Sequence, residues 1–261
     1  MHGVTVRNGQ AVLGPEDTGH GGGIRAGDGL RLKLVRSVVT ANQTSQDGGG
    51  ISAVALEVLD STISGNTAGG SGGGILVWVP DMRNVTISGN HAAVEGGGLF
   101  YYTGSAALEH LTITGNNASL GGGVAAASPP GCICEGPYVM NRTVIAGNTA
   151  AIRPDCNGVF YFSAGHNAFG VGDGCGAQAT DLAGTLAQPL DPRLGPLGSH
   201  GGPTPTHVPL EDQRGRPRPD QALCDTGAVE RLSACQPDEE TLCLWAPVTA
   251  SGSPSAGRRR G

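Results

Sequence analysis

Residues 61–79 read STISGNTAGGSGGGILVWV, from Ser61 to Val79. Six glycines stand directly before the apolar run Ile75-Leu76-Val77-Trp78-Val79. Glycine at that density marks a linker, whereas an unbroken apolar run marks a buried strand. Recurrence resolves the conflict. Gly triplets stand at 21–23, 48–50, 72–74, 96–98 and 121–123, at spacings of 27, 24, 24 and 25. An Asn closes a Thr/Ser-rich run at Asn42, Asn66, Asn90, Asn116 and Asn148, at spacings of 24, 24, 26 and 32. The last step carries the insert PPGCICEGPY. Two independent marks at one period signal a solenoid.

The units are rich in Gly, Thr, Val, Ile and Asn, which suit strands and turns rather than helices. Three strands of about five residues with tight turns fill one coil, and coils stack about 4.8 Å apart. The expected fold is all-β: a right-handed parallel β-helix with 24–25 residues per coil and six to seven coils.

Columns through the repeat support this reading. Three residues before each Asn stand Val39, Ile63, Ile87, Ile113 and Ile145; eight before stand Leu34, Val58, Met82, Leu108 and Met140. Directly after the triplets stand Ile24, Ile51, Ile75, Leu99 and Val124. These are inward stacks, and Tyr101 joins them between Ala53 and Ala126. Val38, Thr62, Thr86, Thr112 and Val144 form an outward ladder. The Asn column suits a corner in the left-handed region, with side chains bonded coil to coil. The triplets suit a second corner with no room for a Cβ.

Composition bounds the function. Of 261 residues 46 are Gly and 17 Pro, aromatics are 4%, and the net charge is −6. No basic footprint points to nucleic acid. No stretch reaches 18 apolar residues, so no helix of this chain is expected to span a membrane. The opening MHGVTVRNGQ starts within a repeat-like pattern, and a longer N-terminus carrying an export signal is expected upstream. Seven cysteines, with no C-x-x-C pair, point to disulfides and an oxidising compartment.

The two marks resemble the repeats of bacterial β-helix surface proteins of the polymorphic outer-membrane-protein type. SAGHNAFG (163–170), DPRLGPLGSHGGPTPTHVPL (191–210), DQRGRPRP (212–219) and CDTGAVE (224–230) are similar to the closing segment of choice-of-anchor Q proteins. The resemblance covers about residues 4–232. It divides the chain into a β-helix over 1–170, a Gly/Pro-rich closing segment over 171–232, and a truncated module with a disordered tail over 233–261. HVPLEDQRG departs from the family pattern, as though one strand and its cysteine were missing, which would leave Cys224 over. On this resemblance Cys156 pairs with Cys175 and Cys235 with Cys243, while Cys132 and Cys134 pair with each other or stay free. It implies an exported, monomeric protein, extracellular or at the bacterial cell surface, that uses no cofactor and binds carbohydrate or a surface protein.

Two clusters are candidate sites. Leu76 and Trp78 in one coil and Phe100 and Tyr102 in the next should point outward, giving an apolar aromatic patch that could stack on sugar rings or a partner protein. The alternative is a polysaccharide lyase or glycoside hydrolase at a corner edge holding Asp60, Arg83, Glu109 and His110, with calcium as a lyase's cofactor. A solvated edge of alternating charge is the simpler reading of those four residues and is preferred to a catalytic site. His20, His91, His200 and His207 read as surface residues. The sequons at Asn42, Asn84, Asn117 and Asn141 read as by-products of the repeat.

Overall fold

The computed structural model describes residues 1–14, 19–102, 106–127, 138–158 and 162–210. The chain is an all-β parallel solenoid of about five turns, each about 24 residues long. Each full turn opens on a Gly triplet and lays down three strand segments, which pair with the turns before and after. In the middle turns the first, second and third segments run together as long bent strands, Ile51–Ser64 and Ile75–Ser88. The expected six to seven coils shorten to five because the ends lack full sets of strands. Among the described residues before the first triplet, the strands are Thr5–Arg7 and Gln10–Ala11. Beyond the last full turn there are two-residue pieces, ending at Ala168–Phe169 and Leu182–Ala183.

The register matches the columns. Ile24, Ile51, Ile75, Leu99 and Val124 are in-register partners along the first ladder. Together with Leu34, Val58, Met82, Leu108, Met140, Val39, Ile63, Ile87, Ile113 and Ile145 they form one continuous core. Tyr101 is fully buried in it, paired in register with Val77 and Ala126.

Three corners turn each coil. At the triplet the first glycine has positive φ, 73° at Gly48 and 69° at Gly72. A Cβ on the third would collide with the next turn: on Gly74 it would lie 2.6 Å from the Gly98 carbonyl oxygen. At the Asn corner the left-handed residue is not the Asn, as the sequence reading had it, but the residue before it: Ala41, Gly65, Gly89, Gly115 and Gly147. The Asn itself points inward and is buried at every level. Asn42, Asn66, Asn90 and Asn116 each donate Nδ2–H to the next Asn Oδ1 at 2.9 Å. Each backbone N–H donates to the same oxygen at 3.0 Å. Asn148 ends the row on the carboxylate of Asp155, at 2.8 Å. The third corner joins the second and third ladders. It holds Arg36, Asp60, Asn84, His110 and Arg142, every one left-handed with φ between 48° and 55°.

The threonine ladder faces outward, as expected, yet it is covered. Thr62, Thr86 and Thr112 are at most 1% exposed. The strand face alternates as the sequence shows, but a non-repeating segment of the same chain folds back over it. Thr62 donates its hydroxyl to the Pro205 carbonyl, and Thr86 and Thr206 share a bond of 2.9 Å. Higher up, Val144, Ala146 and Ala168 are covered by Leu182, Leu190 and Leu194. Cys156 and Cys175 are disulfide-bonded and wholly buried in the core. Cys132, Cys134, Cys224, the Cys235–Cys243 pair and the tail over 233–261 lie outside the described residues.

Candidate functional site

The aromatic face is built on the first ladder. Its second position runs Arg25, Ser52, Leu76, Phe100, Ala125, in register from turn to turn. The sequence reading left Leu76 and Phe100 exposed; the structure leaves them 8% and 6% exposed. The glycine corner is the cause. It doubles back so tightly that a Cβ on Gly96 would stand 2.9 Å from the Phe100 Cβ, and one on Gly48 would stand 2.8 Å from the Ser52 Cβ. The turn backbone thus roofs this column, and Leu76, Phe100 and Ala125 form a small cluster outside the main core with Tyr102 and Ala127.

Two positions further along, the roof ends. Trp78 is 43% exposed and Tyr102 is half-buried. Their ring centroids lie 4.4 Å apart and tilted by 33°, while Phe100 supports Tyr102 edge-on at 5.2 Å. Such contacts fix ring orientation beyond what area burial alone gives. The Tyr102 phenol is pushed up from its ordinary value, first by burial and then by the carboxylates of Asp47 and Glu95, so it stays an O–H donor at neutral pH. Both carboxylates stand one residue before a Gly triplet. Asp47 is fixed there: Oδ1 accepts from Ser71 N at 2.7 Å and Oδ2 lies 3.4 Å from His20 Nδ1. The result is a tilted aromatic pair, open outward, with a phenolic donor and two carboxylates beside it.

The charged corner is a different kind of place. Asp60 and His110 belong to the left-handed column, with Asn84 between them; Arg83 and Glu109 are register partners in the adjoining column. The four are spread over three successive turns of this edge. The Asp60 carboxylate takes the Asn84 amide at 2.9 Å and lies 4.0 Å from Arg36 Nε, both from neighbouring turns. Among the described residues, no group of three or more His, Cys, Asp or Glu is arranged to hold a metal ion.

The structure also sets two acids side by side on adjacent rungs. Glu57 and Asp81 are register partners on the second ladder, two residues from the Leu59–Arg83 rung. Lys33 Nζ meets Glu57 Oε1 at 2.6 Å on the other side. The two acids stand nine residues before Asn66 and Asn90, in a column that starts at Lys33 nine before Asn42.

His207 is a correction. It is 8% exposed rather than a surface residue, held between the third ladder and residues 193–198. Its PTPTH context carries no periodic signal, so its burial could not be read from spacing. Of the sequons, Asn42 is buried in the amide row, and Asn117 is exposed with its amide on Thr149 Oγ1 at 2.8 Å.

Against known proteins, a family model described as the Chlamydia polymorphic membrane protein repeat matches residues 60–77. No curated protein and no solved structure matches the chain. The matched stretch runs from the charged corner through the Asn and the Gly triplet to the start of the aromatic face.

Proposed function

We propose that this chain is an exported, non-catalytic surface or secreted solenoid that binds carbohydrate or a partner protein through its first ladder. The observation that carries the reading is the Trp78–Tyr102 pair. It is a large aromatic surface on a ladder whose flanking turns carry small or polar residues, fixed from behind by Phe100 and edged by hydrogen-bonding groups. Aromatic faces stack on the apolar faces of sugar rings, and carboxylates and a phenol accept and donate to ring hydroxyls. The repeat match supports a surface-protein setting, since the matching model describes a membrane-protein repeat. The roofed Leu76 and Phe100 act as supports rather than as contact residues.

Glycan-array binding followed by calorimetric titration of the glycans that bind tests this. Trp78→Ala, alone and with Tyr102→Ala, is expected to weaken binding at least tenfold, the worth of one aromatic contact of about 1.4 kcal/mol. Unchanged binding by the double variant would sink the reading.

A second reading, a polysaccharide lyase or glycoside hydrolase, draws on the Glu57–Asp81 pair beside Arg83, with Asp60 at the neighbouring corner. Acids on adjacent rungs have the spacing of a catalytic carboxylate pair. Incubation with pectin and alginate, with and without calcium, distinguishes the two. New chain ends that disappear with Arg83→Ala or Asp60→Ala would establish the enzyme and overturn the binding reading.

A further inference from the structure

The outer side of the third ladder is closed by the chain itself. Residues 193–210 form an antiparallel hairpin. Gly195 N donates to the Val208 carbonyl at 2.7 Å, Leu210 N to the Arg193 carbonyl at 2.8 Å, and Gly198 and Thr206 exchange both backbone bonds. The return arm lies along a row of hydroxyls. Thr204 Oγ1 donates to the Asp60 carbonyl at 3.3 Å, Thr62 meets Pro205, Thr86 meets Thr206, and Ser88 Oγ lies 2.8 Å from His207 Nε2.

His207 is the last fastening. Its Nδ1 lies 2.6 Å from the Gly195 carbonyl oxygen. A carbonyl oxygen only accepts, so Nδ1 carries the proton, and Nε2 accepts from the Ser88 hydroxyl. Both nitrogens of the neutral ring are therefore occupied within a nearly closed site. A second proton could still be shared with Ser88 by reversing that bond, but the charge would be stranded. The ladder presents the neutral hydroxyls of Ser64, Ser88 and Thr114 in adjacent turns. The hairpin presents the Gly195 carbonyl and His200, and His200 opposes a second positive charge.

We propose that residues 204–208 are an acid-released latch: protonation of His207 unseats the return arm of the hairpin and uncovers the Thr62, Thr86 and Ser88 hydroxyls. Burial, and then His200, hold the imidazole below its ordinary value of 6.5, partly offset by the Gly195 bond. The released arm therefore binds more protons than the seated one. Seating is strongest above the ordinary histidine range and weakens as pH falls through it, by about tenfold for each unit separating the two states.

Amide hydrogen exchange on the full chain at pH 7.5 and 5.0, corrected for intrinsic rates, tests this. Gly198, Thr206 and Leu210 are expected to lose protection at the lower pH, while Ile63 and Ile87 in the core keep theirs. His207→Gln, which can still donate and accept, is expected to abolish the pH dependence. Ser88→Ala is expected to loosen the arm at both pH values and leave the dependence in place. Flat protection in the wild type, or an equally steep loss in His207→Gln, overturns the latch. Should the Gln variant fold poorly, an NMR titration of the wild-type imidazole decides: a midpoint below 6.5 supports the latch, and one at or above it overturns it.

Discussion

Two corners of each turn do the same geometric job with opposite chemistry. Both need one residue in the left-handed region. At the corner between the third ladder and the short ladder (Gln10–Ala11, Gln43–Thr44, Thr67–Ala68, His91–Ala92), that residue is Asn8 and then Ala41 in the first two turns and Gly65, Gly89, Gly115 and Gly147 after them, and from Ala41 onward the next residue is a buried Asn. At the corner between the second and third ladders the same conformation is held by Arg36, Asp60, Asn84, His110 and Arg142. What differs is the side on which the side chain emerges. The Asn amide points into the solenoid, where N–H and C=O groups would otherwise go unpaired, so only an amide serves. The charged column faces solvent, so each residue bears only the conformational cost of the left-handed region, about 1–2 kcal/mol. A conserved chemical need writes a letter into the sequence. A purely conformational need does not.

The sharpest way to break this contrast is Asn90→Leu. It removes the acceptor for the Asn66 backbone and side-chain N–H and the donor to Ile63 and Asn116. Several buried groups are orphaned, and a loss of about 3–5 kcal/mol is expected in denaturant unfolding. A loss below 1 kcal/mol would show that water replaces the amide and that the row is not what holds the turns together.

A smaller effect is expected at the end of the row. Asp155 replaces the next Asn with a carboxylate that is 1% exposed. Burial pushes its carboxyl up from 3.8, against the hydrogen bonds from Asn148 and Val171. A group whose folded value is raised binds more protons folded than unfolded. Its contribution is complete below pH 3.8 and is lost as pH rises through the raised value. Relative to Asp155→Asn, the wild type is expected to lose melting temperature as pH rises above 3.8 and through the raised value; a constant difference between the two would remove this account.

Ala41→Gly changes the alanine that stands before the four glycines of the left-handed column, at φ 54°. Relief of the left-handed strain, less the entropy of an added glycine, is expected to stabilise by up to about 1 kcal/mol. The smallest effect is expected at the charged corner. Asp60→Asn keeps a residue that tolerates φ of 48° and an acceptor for Asn84, and is expected to change stability by less than about 0.5 kcal/mol. A loss comparable to that of Asn90→Leu would put the two corners in the same class.

The same contrast explains what was legible in advance. Inward stacks, the glycine triplets and the amide row repeat, so alignment of the chain with itself exposes them. The Cys156–Cys175 pairing followed from family resemblance and stands in the structure. The left-handed position was misplaced by one residue, because Asn follows a glycine in four of its five levels and the two marks travel together. The roof over Leu76 and Phe100 comes from the doubling back of the glycine corner, which alternation alone does not encode. The latch was not legible at all. Its contacts, such as Thr62 with Pro205 across 143 residues, join a repeating element to one that occurs once.

The amide row also sets the length in which this chain can change. Every Asn offers the same donor and acceptor to the turn on either side, so any two levels of the row fit each other. Removal of residues 72–95 would join Ser71 to Gly96 and set Asn66 against Asn116, with corner meeting corner and core stack meeting core stack. Removal of 23 or 25 residues would leave one residue to be taken up at a corner, as the 25-residue step from Leu99 to Val124 and the 26-residue step from Ile87 to Ile113 already do; taken up inside a strand, it would turn inward side chains outward. The solenoid can therefore be shortened or lengthened by whole turns without writing a new interface.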